Sequence, residues 1–216
     1  MCIDLSHYRK NYSNNCLLEN KIPKNPMKLF HHWFQLEKNL CGKDEEINVM
    51  SISTVGKDGG PEGRIVLLKE YSDNGFIFYT NYFSSKGRSI YLFPKVFLLF
   101  YWKNTERQVL VKGLARKIHK EKSDKYFYKR PKENQIGCWA SLQSTIISSR
   151  EYLLKQYNKW SFFFKKNKKM IERPFYWGGY IVKPYQIEFW QGQPYRLHDR
   201  IVYFLEEKWI IKRLSP

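Results

Sequence analysis

What most constrains this chain is a succession of short β-type runs divided by turn signals. INVMSISTV (Ile47 to Val55), RIVLLKEY (Arg64 to Tyr71) and FIFYTN (Phe76 to Asn81) are rich in β-branched and aromatic residues, with GKDGG and SDNG near their ends. Strands this close in sequence form a meander rather than parallel strands joined by long helices. KVFLLFYW (Lys95 to Trp102) and ERQVLVKGLARKI (Glu106 to Ile118) follow as a hairpin across KNT, and YWGGYIVKPYQIEFW, RIVYFLEE and WIIKRLSP return to strands. Six to eight strands are predicted.

Helices are inserted among them. PMKLFHHWFQLEKNL (Pro26 to Leu40) opens on proline and carries Leu29, Trp33 and Leu36 on one stripe. SSKGRSIYLFP (Ser84 to Pro94) has Ser84 placed to cap it, and EKSDKYFYKRP (Glu121 to Pro131) ends on its proline. SSREYLLKQYNKWSFFFKK (Ser148 to Lys166) is a longer helix that Ser148 could cap. The prediction is a mainly β fold with helices, a small antiparallel barrel with helical decoration. It occupies one domain, residues 26–216, behind a polar arm of residues 1–25 expected to be mobile. A chain of 216 residues suffices for a substantial core.

Several classes are disfavoured. No stretch approaches the roughly 20 apolar residues of a membrane helix. MCIDLSHYRKNYS lacks the basic-then-apolar order of a signal peptide, so a cytoplasmic location is expected. Cys2, Cys16, Cys41 and Cys138 form no CxxC pair and are expected as free thiols, and no zinc-ligand spacing occurs. The net charge of +18 raises nucleic-acid binding. The lysines are spread along the whole chain, however, as compositional drift would leave them. The densest run, KKNKKM (Lys165 to Met170), reads as a solvated loop.

Basic residues recur where an anion could sit. Arg64 and Lys69 bracket an apolar strand and, five apart, face opposite sides if it is regular. Arg64 could fork two bonds to a phosphate, and Lys69 could meet a second anion. SSKGR (Ser84 to Arg88) is either a phosphate-binding helix start or an ordinary cap with solvated bases. Tyr126 and Arg130 are four apart on one helical face, as an anion clamp or a structural pair. Gln143 and Ser144 could bind a ligand. WQGQPYRLHDR (Trp190 to Arg200) alternates Arg196, His198 and Arg200, which share one face if the segment is extended. No phosphate loop, GxGxxG turn, nucleophile elbow, hydrolytic acid pair or metal cluster is present. The residues alone point to one or two phosphorylated small molecules, or to a generic basic domain.

RIVLLK, FYTN, SSKGR, ERQVLVKG, FYKRP, QIGCWAS, QSTIISSR, YWGGY, IEFWQG, RLHDR and the closing RLSP, in this order, resemble the pyridoxamine 5'-phosphate oxidase family from His7 onward. The resemblance implies an FMN-binding split barrel and a homodimer with FMN at the subunit interface. It implies oxidation of pyridoxamine or pyridoxine 5'-phosphate by oxygen to pyridoxal 5'-phosphate and hydrogen peroxide, with ammonia released from the amine. By resemblance, Arg64, Ile65, Val66, Leu67, Leu68 and Lys69 run along FMN, with Arg64 near its phosphate. Tyr79, Thr80, Ser85, Lys86, Gln143, Ser144, Trp190 and Arg200 are further FMN positions, and Gln108 contacts the flavin from the second subunit's side. Lys69, Tyr126, Arg130 and Asn134 match the substrate-phosphate site. Arg196, Leu197 and His198 match the segment over the substrate ring, with Arg196 and His198 as the catalytic pair and His198 the candidate should a side chain accept a proton. Arg9, Lys10, Asn11 and Tyr12 match an arm that covers the substrate.

The chain departs from the family pattern at three places. Ser85 stands where an arginine is frequent, which removes a cation from the FMN phosphate. Asn134 replaces a serine and can still donate a hydrogen bond. Ile146 replaces a frequent arginine. The rival readings are an FMN split-barrel protein with another reductase or flavin-binding role, and a basic nucleic-acid-binding module.

Overall fold

The computed structural model describes residues 1–13, 16–42, 44–167 and 170–216. Asn14 and Asn15 of the N-terminal arm, and Lys168 and Lys169 of the basic run, lie outside the described residues. Nine strands and five helices occur among the described residues: α1 (Pro26–Leu40), β1 (Val49–Val55), β2 (Pro61–Leu67), β3 (Glu70–Ser72), β4 (Gly75–Asn81), α2 (Ser85–Leu92), β5 (Lys95–Trp102), β6 (Arg107–Lys117), α3 (Lys120–Lys129), α4 (Lys132–Ala140), α5 (Arg150–Lys166), β7 (Trp177–Gln191), β8 (Asp199–Leu205) and β9 (Trp209–Leu214). Hydrogen bonding orders the strands β2-β1-β5-β6-β7-β4-β3, with β8 on β7 and β9 on β8. No helix among the described residues is long and apolar enough to cross a membrane.

The chain divides into two compact units. The first comprises Met1–Ser51, Phe97–Lys112 and Pro184–Pro216. Its core is aromatic: Phe30 meets Phe100 edge-on at 5.1 Å, Trp33 meets Phe189 at 5.1 Å, and Phe189 meets Tyr203 at 5.6 Å. Asn25 caps α1 by accepting from Met27 N, and Pro26 sits at the first helical position where a missing N–H costs nothing. Leu29 and Trp33 are buried as their spacing predicts. Leu36 is only half-buried, and Glu37 beside it is buried instead, because its carboxylate accepts from Thr105 N at 3.0 Å and Thr105 Oγ1 at 2.8 Å. In this unit β7 pairs antiparallel with β8 from Gln186↔Phe204 to Gln191↔Asp199, and β8 pairs with β9.

The second unit comprises Ile52–Val96 and Gly113–Lys183. Here β4 pairs antiparallel with β7, Phe76↔Val182 through Asn81↔Trp177, and Phe76, Phe78, Tyr180 and Val182 are buried along that ladder. The turn from β3 into β4 needs Gly75, whose φ of 125° is hostile to a side chain; a β-carbon there would also strike the Val182 carbonyl. A second cluster of Phe127, Ile136, Phe164, Ile171 and Trp177 holds α3, α4 and α5 together.

Four expectations change. Nine strands occur among the described residues, not six to eight, because RIVLLKEY is two elements: Leu68 is buried between them, and Lys69 N donates to Ile77 O at 2.8 Å. Pro131 both ends α3 and starts α4, a helix the pattern reading passed over. Ser149, not Ser148, caps α5 by accepting from Tyr152 N at 3.1 Å; adjacent serines leave the sequence ambiguous by one residue. Lastly, RLHDR is not extended. Pro194–Arg196 form a 3-10 turn with Tyr195 and Arg196 at φ 57° and 62°, and β8 begins only at Asp199. The strict alternation of Arg196, His198 and Arg200 on one face is therefore lost.

Candidate functional site

A cleft of about 950 Å³ opens in the second unit. Ile65, Val66 and Leu67 from the end of β2 line one wall, with Lys69 just beyond. β4 supplies Tyr79 and Thr80, α2 supplies Lys86, and the α3–α4 corner supplies Tyr126, Arg130 and Asn134. Gln143 lies on the following loop. Eleven of the residues expected at a site thus meet in one cavity. Arg64, Leu68, Ser85 and Ser144 belong to the same unit without lining it. Ser144 nonetheless holds φ 69°, a conformation that a non-glycine residue keeps only when its surroundings impose it.

Lys86 is a buried cation in the wall of the cleft. It is 3% exposed, and its Nζ donates to Thr80 Oγ1 at 3.1 Å, with no carboxylate partner among the described residues. Burial first, and the nearby Arg64 second, push its pKa down to about 8. Arg64 keeps a buried Nε with no hydrogen-bond partner among the described residues, and its Nη2 lies 3.8 Å from Glu62. Two crowded cations, one with an orphaned donor, are destabilising until an anion joins them. The α2 start beside them is tightly built. Ser84 Oγ accepts from Gly87 N and donates to Asn81 O, so its hydroxyl is a cap. Ser85 Oγ donates to Glu62, and Arg88 is exposed. Gly87 is required because a β-carbon would strike the Tyr82 carbonyl.

Aromatic residues and a further cation line the same cleft. Tyr79 stacks on Tyr126 at 3.9 Å and 17°, and Trp177 continues the stack at 5.5 Å from Tyr79. Arg130 lies over Trp177 at 4.7 Å, and its Nη1 donates to Cys138 Sγ at 2.8 Å. Gln135 Nε2 braces the corner by donating to Arg130 O. Burial raises the Tyr79 phenol to about 12 and raises Tyr126 as well, so both are neutral donors at neutral pH. Burial also lifts the Cys138 thiol, which Arg130 partly offsets. Trp177 and Cys138 were missed by residue-level reading. Trp177 sits beside a Gly-Gly pair that signals close backbone approach, whereas nothing near Cys138 marks it.

The remaining expected residues lie in the first unit. His198 Nδ1 accepts from Gln193 N at 3.1 Å, so the neutral ring carries its proton on Nε2. Its Nε2–H is then a donor. Trp190 lies 4.7 Å from the His198 ring, and Tyr12 meets both rings edge-on at 5.8 and 5.7 Å. Lys10 pairs with Glu106 at 2.6 Å, Arg9 Nε donates to Ser6 O, and Asn11 is exposed. Arg196 and Leu197 project from the left-handed turn and are exposed. Arg200 pairs with buried Glu188 at 2.7 Å, and Gln108 is half-buried on β6. Asp199 neutralises Arg213 at 2.6 Å and accepts from Gln193 Nε2 and Leu17 N, tying the turn to the N-terminal arm.

Comparison with known proteins bears on this arrangement. Residues 43–164 match the family described as Pyridoxamine 5'-phosphate oxidase, and residues 177–216 match the Pyridoxine 5'-phosphate oxidase C-terminal dimerisation region. The pyridoxine/pyridoxamine 5'-phosphate oxidase of Flavobacterium johnsoniae is 48% identical over 98% of this chain and 99% of its own length. That of Flavobacterium psychrophilum is 47% identical over 99% of each. Among solved structures, PhzG from Burkholderia lata 383, in complex with tetrahydrophenazine-1-carboxylic acid, aligns with a TM-score of 0.85 at 26% identity, covering 94% of this chain and 100% of its own. A pyridoxamine 5'-phosphate oxidase-related, FMN-binding protein from Nostoc punctiforme PCC 73102 shares the fold, with a TM-score of 0.67 at 14% identity and coverage of 88% and 96%. The mainly β split-barrel fold with helices, expected from the sequence, is the fold of these structures.

Proposed function

The chain belongs to the pyridoxine/pyridoxamine 5'-phosphate oxidase family, and from that premise we propose that it oxidises pyridoxamine or pyridoxine 5'-phosphate to pyridoxal 5'-phosphate. Oxygen is the terminal acceptor and leaves as hydrogen peroxide. The alcohol needs nothing more; the amine also takes up water and releases ammonia. The observation that carries this reading is one cleft lined by three cations, Lys69, Lys86 and Arg130, that have no carboxylate partner among the described residues. Two phosphate-bearing partners, cofactor and substrate, suit a cleft with that many unpaired cations.

The chain's own residues around Lys86 suit FMN. Buried Lys86 and the orphaned Arg64 Nε ask for an anion, and Thr80 and Gln143 add polar groups along the cleft. FMN, when bound, supplies two-electron acceptor chemistry that side chains lack. The residues of the chain bind and orient. Lys69, Tyr126, Arg130 and Asn134 hold the substrate phosphate, with the neutral Tyr126 hydroxyl as donor and Arg130 braced by Trp177 and Cys138. That anchor lies away from the reacting carbon and fixes its alignment. Arg196, Leu197 and His198 close over the pyridine ring, and His198 donates from Nε2. Arg9, Lys10, Asn11 and Tyr12 cover the substrate. A homodimer, for which the dimerisation region in the matched family argues, brings Gln108, Trp190, Arg196, His198 and Arg200 of one copy to the cleft of the other.

The test is a visible spectrum of the FMN-reconstituted protein, recorded without oxygen before and after pyridoxine 5'-phosphate is added. The flavin band bleaches and returns when air is admitted. A bound flavin that never bleaches points instead to another reductant, such as the reduced carboxylate ring system seen with PhzG.

A further inference from the structure

Glu62 is the unexpected neighbour of Arg64 and of the α2 start beside Lys86. It shares the half-buried face of β2 with Arg64, two residues on. Ser85 Oγ lies 2.9 and 3.0 Å from its two carboxylate oxygens and shares its one proton between them, and Ser89 Oγ lies 2.9 Å from Oε2 and 3.0 Å from Ser85 O. Those bonds, together with Arg64, hold its carboxyl below the usual carboxylate range, so it is fully charged at neutral pH. A carboxylate pinned by two serines from α2 cannot swing away when a second anion arrives. It also engages the Ser85 hydroxyl and lies 3.8 Å from Arg64 Nη2, close to the groups a phosphate at Lys86 would use.

We propose that Glu62, held by Ser85 and Ser89, competes with the cofactor phosphate for Arg64 and thereby sets a weak, exchangeable FMN affinity in this chain. The inference rests on the cofactor reading above and adds a determinant to it. Replacing the carboxylate by an amide keeps the shape and acceptance from the serines but removes the competing charge. Glu62 is a third exposed, so the effect is moderate.

The experiment is fluorescence titration of apoprotein with FMN and, in parallel, with riboflavin, which lacks the phosphate. Glu62→Gln binds FMN about fivefold more tightly than the parent chain and binds riboflavin unchanged. Glu62→Ala, which also frees the serines, shifts FMN the same way. Equal or weaker FMN binding by both variants overturns the inference while leaving the cofactor reading intact. Tightening that is the same for riboflavin overturns it too, because the phosphate is then not involved. Failure of every protein to bind FMN overturns the cofactor reading and the inference with it.

Discussion

Lys86→Met separates stability from cofactor binding. Lys86 falls from an ordinary 10.5 to about 8 on folding, through burial and Arg64. At roughly 1.4 kcal/mol per pKa unit, its charge destabilises the apoprotein by about 3 kcal/mol below pH 8. Methionine fills similar space without charge, but Thr80 Oγ1 loses its 3.1 Å donor, at about 1 kcal/mol. The net gain is about 2 kcal/mol, or a melting temperature roughly 4–8 °C higher for a chain of this size. The direction with pH follows from proton binding. Between about 8 and 10.5 the folded state holds fewer protons than the unfolded, so parent stability rises across that window and is lost again as pH falls through about 8. The assay is thermal unfolding of both apoproteins at pH 7 and pH 10, with FMN affinity measured alongside. The variant melts higher at pH 7, loses most of that advantage at pH 10, and binds FMN more weakly. Equal melting at pH 7, or a gap that does not change with pH, refutes the account of Lys86 as an uncompensated buried cation.

Other substitutions probe the remaining groups. Arg130→Ala removes the charge-assisted clamp beside Trp177 and raises the KM for pyridoxine 5'-phosphate by about 10- to 100-fold, with flavin content unchanged; steady-state kinetics and the flavin spectrum read both. Arg196→Met, on the exposed left-handed turn, lowers turnover and weakens substrate binding, again without loss of FMN. Gly75→Ala places a β-carbon at φ 125° against the Val182 carbonyl and destabilises the chain by at least about 2 kcal/mol in a denaturant titration.

What the sequence disclosed follows the range of each physical rule. Helical period placed Tyr126 and Arg130 on one face, and both do line the cleft. Cap chemistry placed Ser84, whose oxygen does accept from Gly87 N. The alternation argument failed at RLHDR because it presupposes an extended backbone. Pro194 and the left-handed Tyr195 and Arg196 bend the chain first, and the proline was the available warning. The same rule placed Arg64 and Lys69 on opposite faces of one strand, whereas the strand ends at Leu67 and Lys69 turns into the cleft. Glu62 was invisible because its partner Ser85 is 23 residues away, and the His198 proton position was invisible because it is set by a backbone N–H.

A net charge of +18 gives no site by itself; the pairing of the cations does. Lys10, Lys122, Arg173, Arg200 and Arg213 each meet a carboxylate and are accounted for structurally. Lys69, Lys86 and Arg130 have no carboxylate partner among the described residues, and all three line one cleft. Clustered cations without counter-charge are a standing cost to the folded state, so whatever anion fills the cleft must stabilise the fold by linkage. FMN at about 100 times its Kd therefore raises stability by about 2.7 kcal/mol, well above the effect of matched ionic strength in chloride. At that same FMN concentration the increment shrinks in Lys86→Met, because the variant lacks the cation that the phosphate meets and so binds FMN more weakly. Thermal shifts of both proteins with FMN, riboflavin and chloride measure it. An FMN increment equal in parent and variant would mean that the cofactor phosphate does not reach Lys86, and the buried lysine would then need another explanation.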